Sequence, residues 1–310
     1  MKMANKLPLI SIVMATYNSS HLLKYSIGSL LDSDFDNWEL IVIGDCCTDN
    51  TEDVIHSFND DRIRFLNLEE NSGQQARPNN IGLSMTKGRY VAFLNQDDML
   101  YPSHLTACIQ EIQSSDSDML VIPGLVVKPS TKKSLEHQKF EVNLDSVHVN
   151  GKYSPKVFSV ASSWFMKKEI IPKVGPWKME NEVYCYSSQE WLYRAWKTGV
   201  AMHFPSRVGL LIIYSGPRGG IHKKSMRFEH EYFYNKISDT SFQKALMEKA
   251  AIHATKDINT IAYYSSKKMI RVVVDYLIDT VARVLSIHPV SLKRIMKGRK
   301  KGSLIQKNRV

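Results

Sequence analysis

The first 127 residues alternate short β-branched runs with helical patterns, and this alternation constrains the fold more than any other property of the chain. Strand-like runs at 9–15, 40–43, 63–68, 90–94 and 119–127 are separated by helical patterns at 22–31, 51–58, 74–85 and 103–112. Strand, helix, strand, helix in that order reads as a parallel sheet with crossover helices, an α/β fold. Local signals mark the boundaries: Asn50 or Thr48 as an N-cap, Gly88 as a helix stop after Met85, and Pro102 at a first helical position.

The pattern then weakens. Residues 128–153 are polar, with Lys132, Lys133, His137 and His148, and read as an excursion or hairpin over the sheet. Residues 157–166 are strand-like, 187–197 form a helical run closed by Gly199, and a strand pair at 202–204 and 208–214 is expected to complete the sheet. A glycine-rich basic loop, 216–227, leads into helices from about 228 to 286 that end before Pro289. In the last of them Arg271, Asp275, Asp279 and Arg283 recur every four residues, while Val274, Leu277, Ile278, Val281 and Leu285 lie elsewhere on the cylinder, which describes an amphipathic helix. The expected division is a main domain at 1–216, a loop and helical extension at 217–290, and a basic tail at 291–310.

Length allows one large α/β core with an appendage, and 43% hydrophobic with 23% charged residues excludes a wholly disordered or fibrous chain. Of the net charge of +10, eight cations without an acid fall in 291–310, which leaves +2 for everything before. The basicity therefore concerns a segment that meets an anionic surface. It contains no aromatic residue, so a nucleic-acid arm lacks a stacking platform, and a peripheral membrane contact or a solvated tail is expected instead. Four cysteines, two of them vicinal, fit neither a disulfide framework nor a zinc site, and a reducing cytosol is the simplest home. The longest apolar run, 208–214, is far below the roughly 20 residues of a membrane span. The expectation is a cytoplasmic protein, peripheral on the cytoplasmic face of a membrane if the tail meets lipid.

Chemistry gathers at three strand ends. Ala15-Thr16-Tyr17-Asn18 follows the first strand, Gly44-Asp45-Cys46-Cys47-Thr48-Asp49-Asn50-Thr51 the second, and Asn95-Gln96-Asp97-Asp98 the fourth. Open α/β sheets bind ligands beyond the carboxyl ends of their strands, so one cleft would collect all three. The order, spacing and wording of these motifs resemble the family 2 glycosyltransferases of the GT-A fold, closely over about 7–125 and more loosely over 177–199. The resemblance implies a Rossmann-like, mostly parallel sheet with flanking helices plus the C-terminal helical extension. It implies an inverting transfer of one sugar from a nucleoside diphosphate sugar to a hydroxyl of a glycan or lipid-linked acceptor, as in relatives that build cell-envelope polysaccharides.

It also implies roles. Asp97 matches the family's metal-binding aspartate and Asp98 the carboxylate after it, with Mn²⁺ or Mg²⁺ as the hard ion that oxygen ligands and phosphate select. Tyr17, between Thr16 and Asn18, matches the aromatic residue that packs on the nucleotide base, and Asp45 the acid that accepts from a base N–H. Asn80 with Gly82 matches the family's Asn-x-Gly, and Arg77 is a candidate diphosphate contact. Glu190, in Gln189-Glu190-Trp191-Leu192, is the candidate base, with Glu180 and Glu182 behind it. Arg218, His222, Lys223, Lys224 and Arg227 lie where relatives fold a mobile segment over the donor, and His222 is a candidate second metal ligand.

The chain departs from the family at Asn95, Gly44 and Gln189, each standing where an acid is usual. Asn95 implies weaker metal binding in the free protein, with the ion arriving alongside the donor diphosphate. Bland counterparts exist: Asp97 as a helix cap, Tyr17 as a core residue, Glu190 as a helix-dipole partner, and Trp164 and Trp191 as core instead of a floor for a sugar ring. Two other functions stay open. A sugar nucleotidyltransferase would need a glycine-rich loop where this chain has Thr16-Tyr17-Asn18-Ser19-Ser20, and a catalytically impaired binding protein is suggested by Gly44 and Asn95.

Overall fold

The computed structural model describes residues 7–128, 135–137, 139–214, 228–261 and 277–302. The first half runs β1 (Ile10–Thr16), α1 (Ser20–Leu31), β2 (Trp38–Gly44), α2 (Thr51–His56), β3 (Ile63–Asn67), α3 (Ala76–Ser84), β4 (Tyr90–Phe93), β5 (Asp98–Leu100) and α4 (His104–Ser114). There follow β6 (Met119–Val121), β7 (Gly124–Lys128), β8 (Glu141–Asp145), β9 (Trp164–Lys167), α5 (Ile170–Val174), α6 (Ser187–Lys197), β10 (Met202–His203) and β11 (Leu210–Ile213). The C-terminal part adds α7 (Phe228–Tyr234), α8 (Thr240–Ile261), a helix α9 over 277–284, and α10 (Pro289–Met296).

Seven strands form the central sheet in the order β10-β6-β9-β4-β1-β2-β3, with β9 antiparallel to both neighbours and the rest parallel. Such strands are covered on both faces and read as continuous apolar runs. In β2 all seven residues are buried, and in β1 Ile10, Ile12 and Met14 face one cluster while Val13 faces the other. The first cluster takes Leu23, Ile27 and Leu30 of α1 and Leu105, Cys108 and Ile112 of α4. The second takes Ala76 and Leu83 of α3 and Trp191, Leu192 and Ala195 of α6. Glu39, buried in β2, is satisfied by Arg64 (2.7 Å), Ser11 Oγ (2.5 Å) and the Lys87 N–H (2.7 Å).

A second sheet, β5-β11-β7-β8, sits beside the first. It corrects the single strand expected over 119–127. Pro123 has no N–H for a ladder, so the run breaks into β6 in the central sheet and β7 in the second. The expected pair at 202–204 and 208–214 is also divided: β10 edges the central sheet, whereas β11 joins the second, parallel to β7 and antiparallel to β5. The excursion at 128–153 contributes β8, paired antiparallel with β7. Of the strand-like 157–166 only the end is strand, because a 3₁₀ turn occupies Ala161–Ser163.

Three boundary signals act differently from expectation. Helix α4 starts at His104 with Ser103 at its N-cap position, two residues beyond Pro102. Gly88 is not the stop of α3; a Cβ there would lie 2.6 Å from the Ser11 nitrogen, so its role is close approach to β1. The helix over 277–284 ends before Pro289 as expected, but Pro289 also occupies the first turn of a further helix, α10, which His288 caps by accepting from the Val290 N–H (3.2 Å). Residues 291–296, assigned by composition to a tail, are therefore helical, with Ser291 and Leu292 buried.

Candidate active site

Strands β1, β2 and β4 are neighbours and parallel, with Thr16 in register with Gly44, so their carboxyl ends share one rim. Two side chains join the loops beyond them. Gln96 Oε1 accepts from Thr16 Oγ1 (2.8 Å) and from the Tyr17 N–H (3.0 Å), which ties the β4 loop to the end of β1. Asn18 Oδ1 accepts from the backbone N–H groups of Thr48 (2.8 Å) and Asp49 (3.3 Å), which ties β1 to the β2 loop. Asn18 does so at φ 43°, a left-handed conformation that Asn tolerates better than most residues. Tyr17, between these two anchors, is half-buried at the rim.

The adjacent carboxylates have separate environments. Asp98 lies in strand β5 and is buried, its Oδ2 accepting from Asn95 Nδ2 (2.8 Å) and Ser162 Oγ (2.6 Å). Asn95 thus does more than lack a charge. An acid facing Asp98 at this distance would repel it, whereas the amide donates and keeps the buried carboxylate satisfied without a cation. Asp97 is half-buried, and among the described residues no hydrogen bond or ion pair reaches its carboxylate; its backbone carbonyl lies 3.3 Å from the His230 ring. Among the described residues no three His, Cys, Asp or Glu side chains converge on a metal-sized point. A single open carboxylate suits Mg²⁺ or Mn²⁺ shared with phosphate and water and does not suit an all-protein cage. His222 and the basic loop at 216–227 lie outside the described residues.

Asp45 is buried. Its Oδ1 accepts from the Ser72 N–H (2.9 Å) and Oγ (2.8 Å), and its Oδ2 from the Gly73 N–H (2.8 Å). It anchors the loop before α3 through both oxygens, and Oδ2, with one bond, is the oxygen left for the base N–H that the sequence suggested. Gly44 has a local cause as well. A Cβ there would lie 2.5 Å from Asn67 Oδ1, which accepts from the Cys47 N–H (2.8 Å) while its Nδ2 donates to the Cys47 carbonyl (2.9 Å). Asn67 fills the space that an acid at 44 would need.

The other candidate residues have these surroundings. The Asn80 amide spans the Trp177 backbone, donating to its carbonyl (2.9 Å) and accepting from its N–H (2.8 Å). Arg77, in the first turn of α3, stands 3.5 Å from Glu70 in an exposed pair. Trp164 and Trp191 are buried and stack at 5.5 Å, with Trp177 beside both, which overturns the sugar-floor reading. Glu190 lies in the first turn of α6, paired with Lys178 (3.0 Å) and Arg194 (2.9 Å). Arg194 also donates to the carbonyls of Val174 and Pro176, so this ion-pair group fastens the 174–178 segment to α6. Gln189, where an acid is usual, is buried and donates to the Ser159 carbonyl (2.9 Å).

The serine turn at 159–163 carried no motif, yet it joins both halves of the site. Ser162 holds Asp98, Ser159 receives Gln189, and Ser163 Oγ meets Ser146 Oγ (2.8 Å), which donates to Asp145 Oδ2 (2.8 Å). Asp145, paired in register with Gly124, has its carboxyl raised above the ordinary range by burial. The Val160 N–H (3.5 Å) ends on the same oxygen, Oδ2. Nearby His148 is pushed down to about 4 by burial; it accepts from the Ser154 N–H at Nδ1 (3.0 Å), so Nε2 carries the proton towards Ser159 Oγ (3.2 Å). Alternation of apolar and polar residues at 141–145 was the one available sequence signal for Asp145.

Comparison with known proteins agrees with this geometry. Across 91 residues the chain is 41% identical to the UDP-Glc:alpha-D-GlcNAc-diphosphoundecaprenol beta-1,3-glucosyltransferase WfgD of Escherichia coli, covering 29% of this chain and 36% of that protein. Across 116 residues it is 34% identical to the poly(ribitol-phosphate) beta-N-acetylglucosaminyltransferase TarP of Staphylococcus aureus, covering 36% of this chain and 35% of that protein. The matched stretch thus spans little more than a third of either relative's length. The crystal structure of S. aureus TarS 1–349 in complex with UDP-GlcNAc superposes with a TM-score of 0.53 at 18% identity, covering 67% of this chain and 59% of that one, which shows the shared GT-A fold. The family model for glycosyl transferase family 2 matches residues 11–175, more than half of the length, and the chain belongs to that family.

Proposed function

We propose that the protein transfers a single sugar from a nucleoside diphosphate sugar to a hydroxyl of a glycan or lipid-linked acceptor, with inversion, in the synthesis of a cell-surface polysaccharide. The observation that carries this reading is the rim itself: three strand-end loops locked together by Gln96 and Asn18, with the Asp97 carboxylate left open beside them. The name of WfgD states a UDP-Glc donor and a diphosphoundecaprenol-linked acceptor, and the name of TarP a poly(ribitol-phosphate) acceptor. In this reading Tyr17 packs against the base, Asp97 meets the diphosphate side, and Asp45 and Gln96 keep the loops in place. A bound Mn²⁺ or Mg²⁺ would act there as a Lewis acid on the leaving diphosphate. A lipid-linked acceptor lies at a bilayer, so the same reading expects peripheral contact with a membrane and no nucleic-acid partner.

Direct displacement needs a proton acceptor across the sugar from the leaving group. Glu190 is the proposed base by its place at the start of α6, and it has to loosen its bond to Lys178 to take a proton. A second reading rests on Asp145, whose Oδ1 shares neither of the bonds on Oδ2 and whose carboxyl is raised above the ordinary range by burial, which favours its holding a proton.

The test is a panel of nucleotide sugars with Mn²⁺, read by thermal shift and by release of the nucleoside diphosphate. One donor that raises the melting temperature and is turned over supports the proposal. Stabilisation without release marks a binding protein, and neither response to any donor overturns the proposal.

A further inference from the structure

We infer that the outward face of α9 and α10, with the basic run that follows, is a contact surface for an anionic lipid bilayer. Helix α9 is turned inside out relative to a helix on a water-facing surface. Its acid, Asp279, points to the protein and pairs with Lys156 (2.5 Å), and Ala282 is buried. Its large apolar side chains face away: Leu277, Val281, Val284 and Leu285 are 56%, 47%, 80% and 53% exposed. In α10 Leu292 is buried, while Val290, Ile295 and Met296 are exposed.

Charge names the occupant. Between 277 and 302 there are seven cations, Arg283, Lys293, Arg294, Lys297, Arg299, Lys300 and Lys301, and Asp279 is the sole acid, already paired. A partner protein with an ordinary mixed-sign rim finds no complement for its cations here. Exposed aliphatic side chains interleaved with cations suit the boundary between anionic headgroups and acyl chains. The same segment has no Phe, Tyr or Trp, so it offers nucleic acid no stacking platform.

The surface is braced, which gives a membrane a fixed position relative to the site. Tyr193 Oη donates to the Ala282 carbonyl (3.5 Å), Lys197 Nζ to the Arg283 carbonyl (3.4 Å), and the Gly302 N–H to the Val183 carbonyl (3.1 Å). Tyr193 and Lys197 belong to α6, the helix that carries Gln189 and Glu190 near its start. A bilayer on this face is therefore separated by α9 from the helix that carries the proposed base. The inference is independent of sugar transfer, and its test contains no sugar.

The experiment is co-sedimentation of the full chain with phosphatidylcholine vesicles and with vesicles containing about 30% phosphatidylglycerol, at low and high salt. The protein should pellet with the anionic vesicles, more weakly in high salt and hardly at all with the neutral ones. Each cation near the surface contributes about a fivefold partition, so Lys297→Gln, Lys300→Gln and Lys301→Gln together should lower binding about a hundredfold. Val284→Ser with Leu285→Ser should lower it roughly tenfold or more, whereas Met247→Ser, exposed on α8, should leave it unchanged. Thermal melts confirm that each variant is folded. No binding to anionic vesicles, equal binding to neutral ones, unchanged binding by both multiple variants, or pelleting by self-association without vesicles each overturns the inference.

Discussion

Replacing Asp45 by asparagine separates loop anchoring from ligand recognition. The carboxylate receives three hydrogen bonds, from the Ser72 N–H and Oγ and from the Gly73 N–H, all within 2.9 Å. Asparagine keeps the shape and one oxygen, which can stay on Ser72, but its NH₂ then faces the Gly73 N–H, donor against donor. The loss is one hydrogen bond to a charged group, about 1.5–3 kcal/mol, with some weakening of the two that remain. In a chain of this length each kcal/mol lowers Tm by roughly 2 °C, so Asp45→Asn should melt about 3–6 °C early without any ligand. Ser72→Ala should cost about 1 kcal/mol, and the double variant less than the sum, because Asp45→Asn already weakens the bond that Ser72→Ala removes. Differential scanning calorimetry on the free protein reads all three. An unchanged Tm in Asp45→Asn, with donor affinity lost, would refute the anchoring argument and return Asp45 to direct contact with the base.

The other positions give sharper contrasts. Gly44→Asp forces its side chain onto Asn67 Oδ1 and should destabilise by about 1–3 kcal/mol, and Asn67→Gly in the same chain should recover much of it; equal destabilisation in both backgrounds would show that Asn67 is not the obstacle. If Glu190 is the base, Glu190→Gln should spare donor binding and lower kcat by about 10²–10⁴-fold, with Asp145→Asn near wild type; the reverse pattern assigns Asp145, and its pH–rate profile should then lose activity as pH falls through a value above the ordinary carboxylate range. Burial pushes His104 down to about 3 and His148 and His288 down to about 4. Because the unfolded chain binds these protons near pH 6.5 and the folded one does not, stability should be complete above pH 6.5 and fall below it, each histidine contributing up to about 1.4 kcal/mol per pH unit. Urea midpoints at pH 7.5, 6 and 5 that do not fall would contradict that burial.

The sequence carried the crossover pattern because parallel strands buried on both faces declare themselves, as all seven residues of β2 do. It carried the rim because Thr16-Tyr17-Asn18, Asp45 and Asn95-Gln96-Asp97-Asp98 each follow a strand end. Long-range choices were less legible. The second sheet draws β5, β11, β7 and β8 from separate parts of the chain, and Pro123 was the local sign that the run at 119–127 divides. Asn67 filling the space beside Gly44, and Ser162 holding Asp98, depend on register and turn geometry that no local motif records. The amphipathic period of α9 was legible, but periodicity does not say which face turns inward; the Asp279–Lys156 pair decides that.

In the proposed function the Asp97 carboxylate stays open and shares a divalent ion with a donor diphosphate. Isothermal titration of wild type and Asp97→Asn with UDP, in Mn²⁺ and in EDTA, tests it most directly. Mn²⁺ should tighten UDP binding to wild type at least tenfold, Asp97→Asn should bind UDP in EDTA as wild type does, and Mn²⁺ should add little to the variant. An undiminished Mn²⁺ effect in Asp97→Asn would contradict the assignment.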